Sequence, residues 1–377
     1  MKKTAVITLN FGEPRSPVRE HVEPFLERIF YQNSSLEAAE TDEERRARSR
    51  QLAQRRAPGL MEEYEAIGGS PLNDQADAHA RNLGLEFIRR DLPVHVYSAY
   101  QYTAPLVADV VKKARADGVE RLIGLPVYPL CGFSTNVGAL NDVQAAIDEL
   151  GWTDVEFEGI TGWHRHPLYL ELRADAIRQT VKEAGLNLSA PGTRLVFSAH
   201  GTPKKYLDEG SRYAEYVDEF CREVGQLVGM EPADYELGFQ NHSNRGVEWT
   251  QPDIDAVIAA VEADTVVVDP VSFMHEQSET LAELDHELRE EAEERGLAFH
   301  RVPVPHDDPR FITVLADLME PFITGQDSPL GLRYGRCRCR PEDNTLCLNS
   351  LPRTEAAPRP TGADEGASAG ASAPSPG

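Results

Sequence analysis

No apolar run in this chain of 377 residues approaches the roughly 20 residues that cross a bilayer. The opening Met1-Lys2-Lys3 and its short apolar stretch lack a small-residue cleavage site and run into Asn10-Phe11-Gly12. They predict a first strand rather than an export signal, and hence a cytoplasmic protein. Positive charge is scarce: 38 Lys and Arg stand against 62 Asp and Glu, a net charge of −24. Such a field repels nucleic acid and attracts a cationic ligand such as a metal ion, although most of these carboxylates serve solubility. Cysteine is scarce too, and an odd count of five argues against a disulfide framework. Three of the five, Cys337, Cys339 and Cys347, crowd together late in the chain and suggest a metal or cluster site. No G-x-G-x-x-G or Walker sequence follows a strand, which counts against nucleotide binding.

What the chain does have is alternation. Short apolar runs predict strands at about 4–11, 94–102, 121–128 and 155–161, then again at 195–199, 235–240, 265–273 and 298–304. Helical spacing predicts helices at 105–116, capped by Thr103, and at 138–150, 167–184, 211–228, 251–262 and 278–295. A last helix at 308–323 opens with Asp308 as cap and Pro309 in the first turn. Strand–helix alternation means α/β architecture with parallel sheets covered on both faces. Two such series predict two similar domains, 1–160 and 161–330, with a cleft between them. A cysteine-containing extension follows at 331–351. The Ala-, Pro-, Ser- and Gly-rich stretch 352–377 cannot repay its ordering entropy and is expected to be disordered.

Open parallel sheets place ligands at the carboxyl ends of their strands. That rule selects Asn10-Phe11-Gly12-Glu13-Pro14, Tyr128-Pro129-Leu130-Cys131, Ser198-Ala199-His200-Gly201-Thr202-Pro203, and the run from Ser272 to Glu279. His200 stands out, because it ends a buried strand and a Gly-Thr-Pro turn aims it outward. An imidazole there takes a proton near neutral pH or ligates a metal; a structural histidine bonded to a carbonyl is the competing reading. Glu279, Glu283 and Glu287 recur at i, i+4 and i+8. Like charges at that spacing disfavour a helix slightly. Only Glu279 sits at the strand-end site, so Glu283 and Glu287 read as a solvated acidic face, with a row of oxygen ligands for a metal cation as the alternative. His164 and His166, flanking Arg165, read as surface-loop residues, and Cys221 as a core residue.

These residues resemble the ferrochelatase family. Val196-Phe197-Ser198-Ala199-His200-Gly201-Thr202-Pro203 is similar to the segment around that family's catalytic histidine. Glu279-Thr280-Leu281-Ala282-Glu283-Leu284-Asp285 resembles its Glu-Thr-Leu-x-Glu-Leu-Asp segment, and Tyr64 to Leu72 its loop at the porphyrin cleft. Asn10 to Pro14, the stretch 240–249 and Asp308 to Ile312 are family-like as well. The resemblance spans about residues 4–323. It implies the chelatase fold, two Rossmann-like domains holding a porphyrin between them, and insertion of Fe²⁺ into coproporphyrin III or protoporphyrin IX with release of two protons.

By the same resemblance His200 and Glu279 contact the metal or remove protons, with Glu283 and Glu287 extending the path. Phe11, Arg28 and Ser70 match porphyrin-binding positions. Cys131, Cys337, Cys339 and Cys347 match the ligands of a [2Fe–2S] cluster carried by some members, with structural zinc or free thiols as alternatives. With burial and Glu279 offsetting one another, the pKa of His200 is expected near neutrality. The sequence departs from the family where Gln277 replaces a histidine, His275 being displaced by two, and where Glu63 replaces an arginine. A corrinoid-type chelatase is the rival of the same fold. A non-catalytic porphyrin or haem carrier with a redox-sensing cluster is the rival of another class. Peripheral contact with a membrane is compatible with either.

Overall fold

The computed structural model describes residues 2–32, 41–242, 247–271 and 273–351. The stretch 352–377, Ser272 and part of 240–249 lie outside the described residues.

β1 (Thr4–Asn10), Thr-Ala-Val-Ile-Thr-Leu-Asn, is buried at every position. A strand covered on both faces belongs inside a parallel sheet. It is flanked by β2 (Val94–Tyr100) and β3 (Arg121–Pro126), with β4 (Glu156–Thr161) beyond, all parallel. β5 (Thr193–His200) is flanked in the same way by β6 (Tyr235–Gln240) and β7 (Thr265–Pro270), with β8 (Ala298–Arg301) beyond. Both series therefore run in the order second, first, third, fourth. The order reverses at the first strand of each, which is where α/β sheets open a ligand crevice. The carboxyl ends at these two points are Asn10 and His200. Every expected strand is present. β3 and β7 stop early, at Pro126 and Pro270, although the next amides still bond the neighbouring strands, Val127 to the Leu9 carbonyl and Val271 to the Ser198 carbonyl.

The cysteine extension is part of the first sheet. β9 (Gly335–Arg336) pairs antiparallel with β10 (Thr345–Cys347), and β10 lies parallel to β4, so that sheet has six strands.

Among the described residues, three helices lie between β1 and β2: α1 (Arg19–Gln32), α2 (Asp42–Ala66) and α3 (Leu72–Arg89). α2 opens on a capping box formed by Thr41 and Glu44. Val22, Phe25 and Leu26 of α1 pack on Ala53, Ala57, Leu60 and Tyr64 of α2, and Tyr102 closes this small cluster against the first sheet. The helix Val107–Ala116 begins after Leu106 with no side-chain cap, so Thr103 does not cap it. Instead Tyr100 bridges Leu106 and the chain turns between them. The last helix, Pro309–Thr324, starts as expected: Asp308 accepts from the Arg310 amide, and Gly325 ends the helix at φ 70°.

The largest apolar cluster is continuous through both sheets. Val6, Ile123 and Leu125 join Phe197, Ala199 and Val267 through Trp163, Tyr169 and Phe311. Polar groups also cross: Arg90 reaches Asp317 at 2.7 Å and Glu320 at 2.6 Å on the last helix. Above this shared base, segments that follow the strand ends of the two sheets meet, as Phe133 and Tyr206 do at a ring separation of 5.6 Å.

Candidate active site

His200 closes β5, directly opposite Gln240 at the end of β6. The next residue must be glycine: a Cβ at Gly201 would lie 2.0 Å from Asn241 Oδ1 and 2.7 Å from the Gln240 carbonyl. This tight passage fixes the imidazole. Its Nδ1 faces the Gly201 carbonyl at 2.5 Å and its Nε2 faces Glu279 Oε1 at 3.0 Å. Both neighbours are acceptors, so the ring satisfies them together only as the cation. Its side chain remains 32% accessible. Enclosure by protein works against the charge, but Glu279, then Glu283, outweigh it and lift His200 to about 9. This corrects the expectation of a value near neutrality, because the carboxylate contact is direct rather than distant.

Glu279 begins the helical segment Glu279–Leu288. Enclosure would raise its carboxyl, and the charge and hydrogen bond of His200 hold it down instead. Gln277 donates to its second oxygen, so the residue standing in place of a family histidine acts as a carboxylate donor. Gln240 ties the group together. Its Nε2 donates to the Glu279 carbonyl at 3.0 Å and to Glu283 Oε2 at 2.9 Å, while its Oε1 accepts from Ser198 at 3.0 Å. Burial and the neighbouring Glu279 push Glu283 up to about 8.

Glu283 thus belongs to the site, contrary to its reading as a solvated acid. Glu287 is exposed, as expected. The segment winds as a π-helix, and Glu283 is bound by Gln240 at the end of β6 while Glu287, four residues further from the strand ends, is exposed.

His242 was not singled out from sequence. It lies two residues beyond Gln240, and its ring centroid is 5.3 Å from that of His200. Donor atoms of His200, His242 and Glu279 all fall within 4.8 Å of one another.

The loop after β1 supplies the facing wall. Gly12 has φ 80°, and a Cβ there would strike Tyr100 Cβ at 2.8 Å, so the turn requires glycine. Phe11 packs on Tyr102 with centroids 4.3 Å apart, and its amide donates to Tyr128 Oη at 2.6 Å. Arg28 donates to the Tyr102 carbonyl at 2.9 Å. Ser70 donates to Glu13, a buried carboxyl that also receives Tyr64 Oη at 2.7 Å and the Ser278 hydroxyl. Phe11, Arg28 and Ser70 therefore lie along one aromatic and polar shelf, and Glu13 links it to the residue just before Glu279.

Two other expectations change. His164 and His166 are fully buried rather than on the surface. Asn349 binds His164 Nδ1 at 2.6 Å, and His166 Nε2 lies 3.6 Å from Asp317. Arg165 between them turns outward to Glu219. His275 is buried as well, against His79 at 3.1 Å, and stands apart from His200. Cys221 is a core residue, as expected.

Cys131, after β3, meets the extension. Its Sγ lies 3.8 Å from Cys337 Sγ, and the Sγ atoms of Cys131, Cys337 and Cys339 fall within 4.8 Å of one another. Cys347 borders the same group, and its thiol donates to the Gly162 carbonyl at 3.4 Å. All four are buried, and none forms a disulfide.

Two doubly wound sheets with an imidazole–carboxylate pair at one switch point define the class as a chelatase-type α/β protein. A solved structure described as SirB from Bacillus subtilis with Fe3+ shares this fold at TM-score 0.51, with 11% identity, over 86% of this chain and 98% of that one. The sequence goes further. The Ferrochelatase family model matches residues 3–322. A ferrochelatase of Synechococcus sp. (strain JA-2-3B'a(2-13)) is 34% identical over 333 residues, covering 86% of this chain and 94% of the relative. A ferrochelatase of Aquifex aeolicus (strain VF5) is 31% identical over 323 residues, covering 84% and 99%. The chain belongs to the ferrochelatase family, lyases of haem biosynthesis that insert ferrous iron into a porphyrin. Among the described residues no helix is long and apolar enough to cross a membrane.

Proposed function

We propose that the porphyrin lies between the Phe11–Tyr102 shelf and the His200 cluster, that Glu279 receives the ferrous ion, and that His200 takes a pyrrole proton. The observation that carries this reading is the 3.0 Å contact between His200 and Glu279 at the switch point of the second sheet. The ring must lose two N–H protons as one Fe²⁺ enters. At rest, Glu279 holds a proton on His200. A ferrous ion on Glu279 cancels the negative charge that keeps it there, so arrival of the metal turns the imidazole into a base. Glu283, linked through Gln240, is the next proton acceptor, and exposed Glu287 marks where the path opens to solvent, which can itself take the proton or deliver the metal. Imidazole and carboxylate hold Fe²⁺ without the permanence of thiolate ligation.

Phe11 and Tyr102 offer aromatic surface to a macrocycle. Arg28 offers guanidinium donors to a propionate. Glu63, which would repel carboxylates, is paired with Arg56 at 2.6 Å. The ring is coproporphyrin III or protoporphyrin IX, and parallel assays with both read how many carboxylates the site accepts. The decisive variant is His200→Ala. It should lose turnover while quenching of porphyrin fluorescence still reports binding; full turnover rejects His200 as the base.

For the extension we propose a [2Fe–2S] cluster on Cys131, Cys337, Cys339 and Cys347. Three buried thiols within 4.8 Å of one another, from two distant segments, with buried Cys347 bordering them and no disulfide among the four, suit the donor set such a cluster takes. When bound, the cluster supplies one-electron redox chemistry. The free thiols also support a reducing, cytoplasmic location.

A further inference from the structure

We infer that His242 is a third ligand for the incoming ferrous ion, completing with His200 and Glu279 a set of two imidazoles and one carboxylate. This deepens the reading proposed above and rests on it.

The placement follows from strand geometry. Side chains two residues apart share a face of extended backbone. The Gln240 side chain points to the helical segment, where it binds the Glu279 carbonyl and Glu283. His242, two residues on, projects to the same side. β6 lies beside β5 with Gln240 opposite His200, so His242 arrives next to the His200 ring. Trp249 backs it from behind, edge to face at 5.2 Å. Three separate elements, the ends of β5 and β6 and the start of Glu279–Leu288, thus bring one donor atom each within 4.8 Å of the others. The His242 ring touches His200 and Trp249 and makes no hydrogen bond among the described residues, so its nitrogens are available to a ligand.

The chemistry explains why a second imidazole is useful. With Nδ1 turned to the Gly201 carbonyl, His200 has one nitrogen, Nε2, for all its other work. That lone pair cannot bind iron and accept a pyrrole proton at the same moment. With His242 present, the two tasks separate. As the ion reaches Glu279, the resting imidazolium of His200 gives up its Nε2 proton to solvent, and the ion is then held by His242, Glu279 and His200, a donor set suited to ferrous iron that leaves further positions open. As pyrrole nitrogens take up those positions, Nε2 of His200 releases the metal and accepts one proton, and the carboxylate row accepts the other. His242 and Glu279 keep the ion until the ring holds it through four nitrogens. Iron stays ferrous throughout, and two protons leave the ring for the two positive charges that enter it.

The test uses the full chain and Co²⁺ as a spectroscopic probe without porphyrin, followed by its visible difference absorption. It compares the wild type with His242→Ala, His242→Gln, His200→Ala and Glu279→Gln. His242 is exposed, so its variants should fold. Both should weaken Co²⁺ binding at least about tenfold, the loss usual even for an outer-sphere partner of a metal ligand. The apparent KM for Fe²⁺ should rise in parallel, with the KM for porphyrin unchanged. If His200→Ala and Glu279→Gln weaken Co²⁺ binding but neither His242 variant does, the inference about His242 is wrong and the proposed site stands. If none of the four variants changes Co²⁺ binding, the site itself is misassigned.

Discussion

His275 Nε2 donates to His79 Nδ1 across 3.1 Å, joining the loop that leads to Glu279 to helix α3 of the first half. The direction of the bond follows from its surroundings. His79 Nε2 faces the His306 carbonyl at 2.6 Å and must carry its proton, which leaves Nδ1 as acceptor. The neighbouring Glu276 amide donates to Gln75 of the same helix at 2.9 Å, so the loop is anchored twice in succession.

This pair predicts acid sensitivity. Burial depresses both imidazoles, His79 to about 4. The neutral forms are the folded ones. The stability they contribute is complete above the unfolded value of about 6.5 and is lost as pH falls towards about 4. For His79 the amount is on the order of 3 kcal/mol. Urea midpoints measured between pH 7.5 and 5 should fall steeply in the wild type and less steeply in His79→Gln. Equal slopes for the two proteins would remove the pair as the cause.

Glu13 predicts a contrast between two substitutions. Tyr64, Ser70 and Ser278 all direct hydroxyls at its buried carboxyl, and the Ser278 amide lies 3.4 Å away. Removing the acceptor in Glu13→Ala strands these donors and should cost about 2–4 kcal/mol. Glu13→Gln keeps one acceptor oxygen and should cost clearly less. Ser278 immediately precedes Glu279, so the alanine variant should also raise the KM for Fe²⁺ more than the glutamine variant does. Thermal melts and Fe²⁺ titrations check both points, and identical behaviour of the two variants would show that Glu13 is not the tie.

Alternation of apolar runs is enough to read eight strands and the parallel class, because a doubly buried strand such as Thr4–Asn10 leaves few polar positions. His200 and Glu279 are readable because each stands at the end or start of an element with a family-like motif. The rest depends on tertiary placement. β9 and β10 have two and three residues, too few for any period to show, and their position comes from pairing with β4. His242 falls in a polar Asn-His-Ser-Asn run with no apolar period to mark it. Only the alignment of β6 with β5 carries it to His200. His164 and His166 read as surface-loop residues, yet both are buried, and His164 shares Glu219 with Arg165. Glu283 reads as solvated because it lies a turn beyond the strand end among other acids, and only Gln240, arriving from β6, brings it into the site.

The cysteine group predicts a spectrum that depends on a residue 206 positions away from its partner. Anaerobically purified protein should show visible absorption of an iron–sulfur centre, with iron and labile sulfide in equal amounts. Cys131→Ser should abolish it as completely as Cys337→Ser, Cys339→Ser or Cys347→Ser. Cys221→Ser should leave it intact, since Cys221 lies in the core between Phe220 and Val224 and outside the thiol group. Zinc in place of iron and sulfide, or absorption that survives Cys131→Ser, would overturn the assignment.

Glu283 and Glu287 carry the same charge four residues apart, and the structure separates their roles. Glu283 is bound by Gln240 beside Glu279 and is raised to about 8, first by burial and then by the Glu279 charge. Glu287 is exposed. A carboxyl raised in this way is largely protonated at neutral pH and becomes a proton acceptor as pH rises through about 8. The wild-type rate should therefore climb with pH across that range. Glu283→Gln keeps the bond from Gln240 through its amide oxygen but cannot take a proton, so it should flatten the rise and lower kcat by about ten- to a hundredfold, within the usual span for a proton-transfer group. Glu287→Gln should keep the wild-type pH profile and change kcat less than about twofold, since a screened surface charge contributes little. The check is kcat against pH for the three proteins at saturating porphyrin and Fe²⁺. A Glu283→Gln profile that still rises through pH 8 would place the proton path elsewhere. An effect of Glu287→Gln as large as that of Glu283→Gln would mean that the whole carboxylate row, rather than its buried member, carries the transfer.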